Sequence, residues 1–167
     1  YSDSVDKDLR YATYDGRSFK YEIIDGNGTA VNNYEDPIRV RTASDVSVSS
    51  ACSINSAGVQ VFYRDESQGI LLGAVKAKSS PEWKYELVDG DRKTDDRTTG
   101  DVAFHLDALF DGKETILLYD SILTINNRKE ATSGAIRVAK RTGLAASSWR
   151  YQTLDTSGSA ISVVGYD

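Results

Sequence analysis

Trp83-Lys84-Tyr85-Glu86-Leu87-Val88-Asp89-Gly90 is the middle one of three copies of a single stretch. Phe19-Lys20-Tyr21-Glu22-Ile23-Ile24-Asp25-Gly26 stands 64 residues before it, and Trp149-Arg150-Tyr151-Gln152-Thr153-Leu154-Asp155-Thr156 stands 66 residues after it. Each copy reads aromatic, base, Tyr, Glu or Gln, two β-formers, Asp. A recurrence of this size, carried by strand-forming residues, predicts a chain made of repeated β units.

Working outward from the middle copy, the sequence predicts strands over 45–54, 59–63, 70–75 and 83–88, separated by turn residues such as Asn55-Ser56-Ala57-Gly58 and Asp65-Glu66-Ser67-Gln68-Gly69. The same order returns over 102–109, 115–119, 135–139 and 149–154. Residues 9–14 and 19–24 form a hairpin through Asp15-Gly16, a pair that tolerates positive φ. Ala160 to Asp167 reads as one more strand. Residues 25–44, Asp89 to Gly100 and Asp120 to Gly134 read as long polar connections. No stretch shows capped helical periodicity. The expected fold is all-β: about three blades of four antiparallel strands in one β-propeller segment, part of a larger ring. The chain divides into a partial blade 1–44, blades 45–100 and 101–156, and a partial blade 157–167. Three blades leave open sheet edges, so a second copy or another fragment is expected to complete the ring.

Composition narrows the function classes. With 167 residues, 40% hydrophobic and 27% charged, the chain can bury a core of its own. The net charge of −5 and the absence of a basic stripe argue against nucleic acid as partner. No run of about 18 apolar residues is present to span a membrane. Cys52 is the only cysteine and the chain has no Met, not even at position 1, which leads us to expect a processed or partial chain. Asn27-Gly28-Thr29 fits the glycosylation sequon.

Three segments carry a resemblance: Val61-Phe62-Tyr63-Arg64-Asp65, Asp8 to Gly16 (Asp-Leu-Arg-Tyr-Ala-Thr-Tyr-Asp-Gly), and Trp83 to Asp89. Together they resemble a repeat of secreted bacterial β-propeller proteins. The resemblance implies an extracellular or periplasmic chain and does not fix an activity. Thr13 to Phe19 is similar to the Asp-box of sialidase-type propellers, one residue short and with Phe for Trp. The hairpins are also similar to fucose-lectin propellers, although Gln60, Ile116 and Ser162 hold the place of those lectins' Arg.

Several side chains are candidates for chemistry. Asp65, Asp120 and Asp167 each end a strand and would share one face with the long loops, so they are the candidate ligand-binding acids; their plainer role is turn formation. Asp25 and Asn27 (with Thr29), and Asp89 and Asp91 (near Asp95 and Asp96), have the spacing of oxygen ligands for a hard cation, and calcium is the cofactor they suit; Asx-turn chemistry is the alternative. Phe19, Trp83 and Trp149 either stack on a sugar or wedge between blades, and their repetition favours the wedge. His105, the only histidine, alternates with Ala103 and Asp107 against Val102, Phe104 and Leu106. No nucleophile elbow accompanies it, so it reads as structural. Cys52 reads as a small buried apolar residue. The leading expectation is a non-catalytic extracellular binding or interaction module, for glycan or a protein partner. The alternatives are a propeller glycoside hydrolase of sialidase type, with paired carboxylates, and a structural subunit of a larger assembly. The acidic, long-loop face is the expected place of contact, and it favours a cationic group or a metal-bridged polar ligand over any polyanion.

Overall fold

The computed structural model describes residues 1–3, 5–26, 45–46, 48–91, 96–98, 101–125, 128, 131–145 and 148–156. Among them the chain is all-β, in three antiparallel sheets. The first holds β1 (Ser2–Asp3), β2 (Asp8–Tyr14) and β3 (Phe19–Asp25). The second holds β4 (Ser50–Asn55), β5 (Gly58–Asp65), β6 (Ile70–Ala77) and β7 (Trp83–Asp89). The third holds β8 (Val102–Phe110), β9 (Glu114–Ile125), β10 (Ala131–Thr142) and β11 (Arg150–Thr156). Within each sheet the strands lie side by side in chain order, as short turns such as Asp15-Gly16 and Asp111-Gly112 dictate.

The repeat predicted from sequence is a repeat of register. The last two strands of each sheet pair with one irregularity at the same place: between Leu9 and Arg10, between Leu71 and Leu72, and between Ile136 and Arg137. Each lies opposite the end of the recurring stretch, so Leu9 faces Asp25, Leu71 faces Asp89 and Ile136 faces Asp155. The strand before continues the match: Tyr63 pairs Leu72 and Tyr119 pairs Arg137. In the first sheet the backbones of Tyr1 and Arg10 exchange hydrogen bonds of 2.9 and 2.8 Å. Tyr1, Tyr63 and Tyr119 therefore hold one structural position.

Strand periodicity gives each sheet two faces, and the sheets stack through them. Leu9 and Ile24 of the first sheet pack against Val61, Tyr63, Leu72, Ala74, Tyr85 and Leu87 of the second. The opposite face of the second, with Phe62, Leu71 and Val88, packs against Val102, Leu117, Tyr119, Ala139 and Trp149 of the third. These two layers are the core.

Three expectations change. The loop expected over Asp120 to Gly134 is largely strand: β9 runs on to Ile125 and β10 begins at Ala131, with Ala131 opposite Ile125. β-formers at Ile122, Leu123, Thr124 and Ile125 extend the hairpin past Asp120. The strand expected over 45–54 starts only at Ser50. The alternation expected over 102–109 holds for His105 with Asp107 against Phe104 and Leu106 and breaks before them: Val102 faces Ser121 and Leu106 faces Tyr119, which leaves two extra residues on β8. Ala103 takes up the slack at a φ of 62° and is buried beside Val102. Residues 27–44, with Asn27 and Thr29, lie outside the described residues, as do Asp95 and the expected strand 160–167 with Asp167.

Candidate functional site

The acids ending the recurring stretch face the next sheet. Asp25 is fully buried and accepts the Tyr63 hydroxyl at 2.6 Å. Asp89, also fully buried, accepts the Tyr119 hydroxyl at 2.6 Å, Arg137 Nε at 3.0 Å, and the backbone N–H groups of Gly90 at 2.8 Å and Thr98 at 2.7 Å. Burial, and then the Asp89 charge, push the Tyr119 hydroxyl well above the usual tyrosine range. Asp91 faces the Arg97 guanidinium at 3.3 Å. Of the four candidate cation ligands, the structure thus places Asp89 and Asp91 each against a guanidinium, and Asp25 against a phenol. No group of three acidic, His or Cys side chains suited to a metal ion occurs among the described residues.

The rest of the stretch makes the same kind of tie. Trp83 Nε1 donates to Glu22 at 2.9 Å and Trp149 Nε1 to Glu86 at 3.3 Å. A base sits beside each: Lys76 Nζ lies 2.7 Å from Glu22, and Arg141 lies 2.7 Å from Glu86. The Lys76 bond, despite partial burial, lowers the Glu22 pKa. Tyr85 and Tyr151 donate at 2.6 Å to the backbone carbonyls of Ile24 and Val88, and burial pushes the Tyr151 pKa up to about 12. Arg141, wholly buried, also reaches Gln60 Oε1 at 2.6 Å and lies over the Trp149 ring at 4.4 Å. Trp83 and Trp149 are therefore wedges between sheets, as their repetition implied; Phe19 is 58% exposed.

Asp65 and Asp120 are not brought together as equivalents. Asp65 caps its own turn, accepting from the Gln68 backbone at 3.0 Å and its side chain at 2.9 Å. Register aligns Asp120 with Arg64, because Asp120 faces Ile136 and Arg64 faces Leu71. Arg64 is buried, donates to the Val102 carbonyl and stacks on Phe104 at 3.7 Å. Asp120 instead holds His105: its carboxylate accepts the His105 backbone N–H at 3.1 Å and lies 3.1 Å from Nδ1. Asp120 is buried, while the imidazole is 66% exposed. Both line an open groove of about 380 Å³ on the outer face of the third sheet, with Asp107, Leu106, Leu118 and Ile136. The β8–β9 register, with Asp107 opposite Leu118 and Leu106 opposite Tyr119, continues to His105 beside Asp120, a pairing that the β8 sequence alone does not display.

Cys52 is exposed on β4, contrary to expectation. Its side of β4 looks toward the first sheet, whose described residues hold no fourth strand to cover it.

No family model, curated protein or solved structure matches the chain.

Proposed function

We propose that the chain is a non-catalytic extracellular binding or interaction module built on blades of the β-propeller type. Three sheets with one strand order, one recurring irregularity and one set of inter-sheet ties support the blade reading. The likeness of residues 8–16, 61–65 and 83–89 to a repeat of secreted propeller proteins supports export.

The observation that carries the binding role is the groove at His105 and Asp120. It joins apolar walls to a few convergent polar groups, the usual make-up of a ligand site. Asp120 orients the imidazole, and Asp107 adds a second carboxylate at the rim. This equipment suits a hydroxyl-rich or cationic group, such as a sugar or a Lys or Arg side chain of a protein partner. Asp25 and Asp89 point into inter-sheet contacts, so they serve cohesion.

The test follows the His105 ring resonances while neutral oligosaccharides, and separately Lys- and Arg-containing peptides, are titrated in. Saturable shifts with one class, lost in Asp120→Asn, are expected. Turnover of an aryl glycoside, abolished by Asp120→Asn or Asp107→Asn, would replace this reading with the glycosidase one.

A further inference from the structure

The stack makes one kind of interface twice and leaves half of it displayed at each end. The second sheet docks on the first through Tyr63, Lys76, Trp83 and Tyr85, received by Asp25, Glu22 and the Ile24 carbonyl. The third docks on the second through Tyr119, Arg137, Arg141, Trp149 and Tyr151, received by Asp89, Glu86 and the Val88 carbonyl. By register, the receiving positions of the third sheet are Gln152, Leu154 and Asp155, all exposed. The docking positions of the first are Tyr1, Arg10, Tyr14, Phe19 and Tyr21.

That docking face is apolar and open. Tyr1, Tyr14, Phe19 and Tyr21 are 58%, 60%, 58% and 63% exposed, and Ile23 beside them is 49% exposed. Their rings touch one another, with Tyr14 and Phe19 centroids 4.9 Å apart and Phe19 and Tyr21 centroids 6.2 Å apart. A contiguous exposed patch of this kind marks an interaction surface. At the other end Leu118 and Leu154 are 45% and 53% exposed.

The two ends also match in charge. Inside the stack a carboxylate, Glu22 or Glu86, always meets a base, Lys76 or Arg141. On the third sheet the carboxylate position is the neutral Gln152, and on the first sheet the base position is the neutral Tyr14. Glutamate there would bury a charge without its base on docking, at a high cost in free energy. At the other tie both charges are kept. Asp155 holds the place of Asp89, and Tyr1 with Arg10 holds the place of Tyr119 with Arg137. Arg10 Nη2 pairs with Asp3 at 2.9 Å and Asp6 at 3.0 Å, while its buried Nε has no acceptor among the described residues; Arg137 Nε donates to Asp89.

We infer that the third sheet of one copy docks on the first sheet of a second copy, head to tail. In that contact Asp155 accepts from Tyr1 and Arg10, the Leu154 carbonyl accepts from Tyr21, and Gln152 meets Tyr14. The contact is heterologous, so two copies that each make it twice close a ring. With three sheets among the described residues of each copy the ring holds six, within the range of roughly four to eight at which such rings close. The His105 groove lies on this same face of the third sheet and shares Leu118 with the docking patch, but its His105 and Asp120 end stays open in this arrangement. It lies at Asp120, the position whose counterpart Arg64 is covered by Val102 and Phe104 of β8, and the described residues of the first sheet include no strand equivalent to β8.

The experiment is sedimentation of the intact chain and of two variants, Tyr21→Asp and Leu154→Asp. Both positions are exposed, and far-UV circular dichroism checks that the fold is kept. The wild type is expected at twice the protomer mass, and each variant alone at the protomer mass. An equimolar mixture of the variants regains a dimer, because one intact docking face meets one intact receiving face. His105→Ala stays dimeric, which separates this contact from the groove proposed above. A monomeric wild type overturns the inference, including a monomer whose aromatic face is covered by another part of the same chain. Variants that still dimerise overturn it too, and a mixture that stays monomeric excludes head-to-tail docking.

Discussion

Tyr119 donates its hydroxyl to Asp89 at 2.6 Å across the junction of the second and third sheets, both groups being buried. The same bond, at the same length, joins Tyr63 to Asp25 one junction earlier. An aspartate that ends one sheet is thus the acceptor for a tyrosine on the next, and the recurring stretch supplies half of an interface each time it appears.

Tyr119→Phe and Tyr63→Phe each leave a buried carboxylate short of a donor, so each is expected to cost about 1–3 kcal/mol. The bonds lie at different junctions, so the double variant should lose close to the sum of the two. Urea unfolding with an unchanged slope is the check. Losses below about 0.5 kcal/mol for both would mean that the bonds contribute nothing to cohesion.

The two base–carboxylate ties differ in depth. Arg141 and Glu86 have side-chain exposures of 0% and 4%, whereas Lys76 and Glu22 have 23% and 38%. Removing Arg141 strands Glu86 in the interior, at about 3–5 kcal/mol. Lys76→Ala breaks a solvent-screened pair and should cost about 1 kcal/mol or less. Similar losses for the two in thermal or denaturant unfolding would refute the distinction.

Stability should fall in alkali. Burial raises the pKa of Tyr119 and brings Tyr151 to about 12, so the folded state prefers both phenols protonated. Their contribution is complete below the ordinary tyrosine pKa of about 10 and is lost as pH rises from there through the folded-state values. Absorbance at 295 nm should show a late phase of phenol ionisation, above pH 10, that coincides with loss of far-UV signal. A single phase near pH 10 with the fold intact would contradict this.

Cys52 is exposed, yet its thiol pKa is raised by partial desolvation in the sheet. Iodoacetamide should therefore label the native protein without denaturant, at a rate still climbing beyond the ordinary thiol pKa, because the thiolate is the reacting form. Labelling that requires urea would place the thiol inside the core.

The recurring stretch determined, on its own, that the chain is β and that its units repeat. Aromatic, β-branched and aliphatic residues favour strands wherever they alternate, and tight turns such as Asp15-Gly16 and Asp111-Gly112 fix antiparallel neighbours. It also marked Trp83 and Trp149 as wedges, because a side chain that recurs with the unit belongs to the contact between units. The partners of the acids were settled only in three dimensions. Asp89 meets Tyr119 and Arg137, 30 and 48 residues further along, and no local pattern separates an acid that accepts from a distant phenol from one that binds a cation. The tie of His105 to Asp120 was likewise settled by strand pairing: the register that sets Asp107 opposite Leu118 and Leu106 opposite Tyr119 brings His105 beside Asp120, 15 residues further along. Asp65 stands two residues after Tyr63 and Asp120 one residue after Tyr119, and it is the matched register of the two tyrosines that turns this difference into a shift of one residue between the acids. In a strand that shift moves a side chain to the opposite face of the sheet.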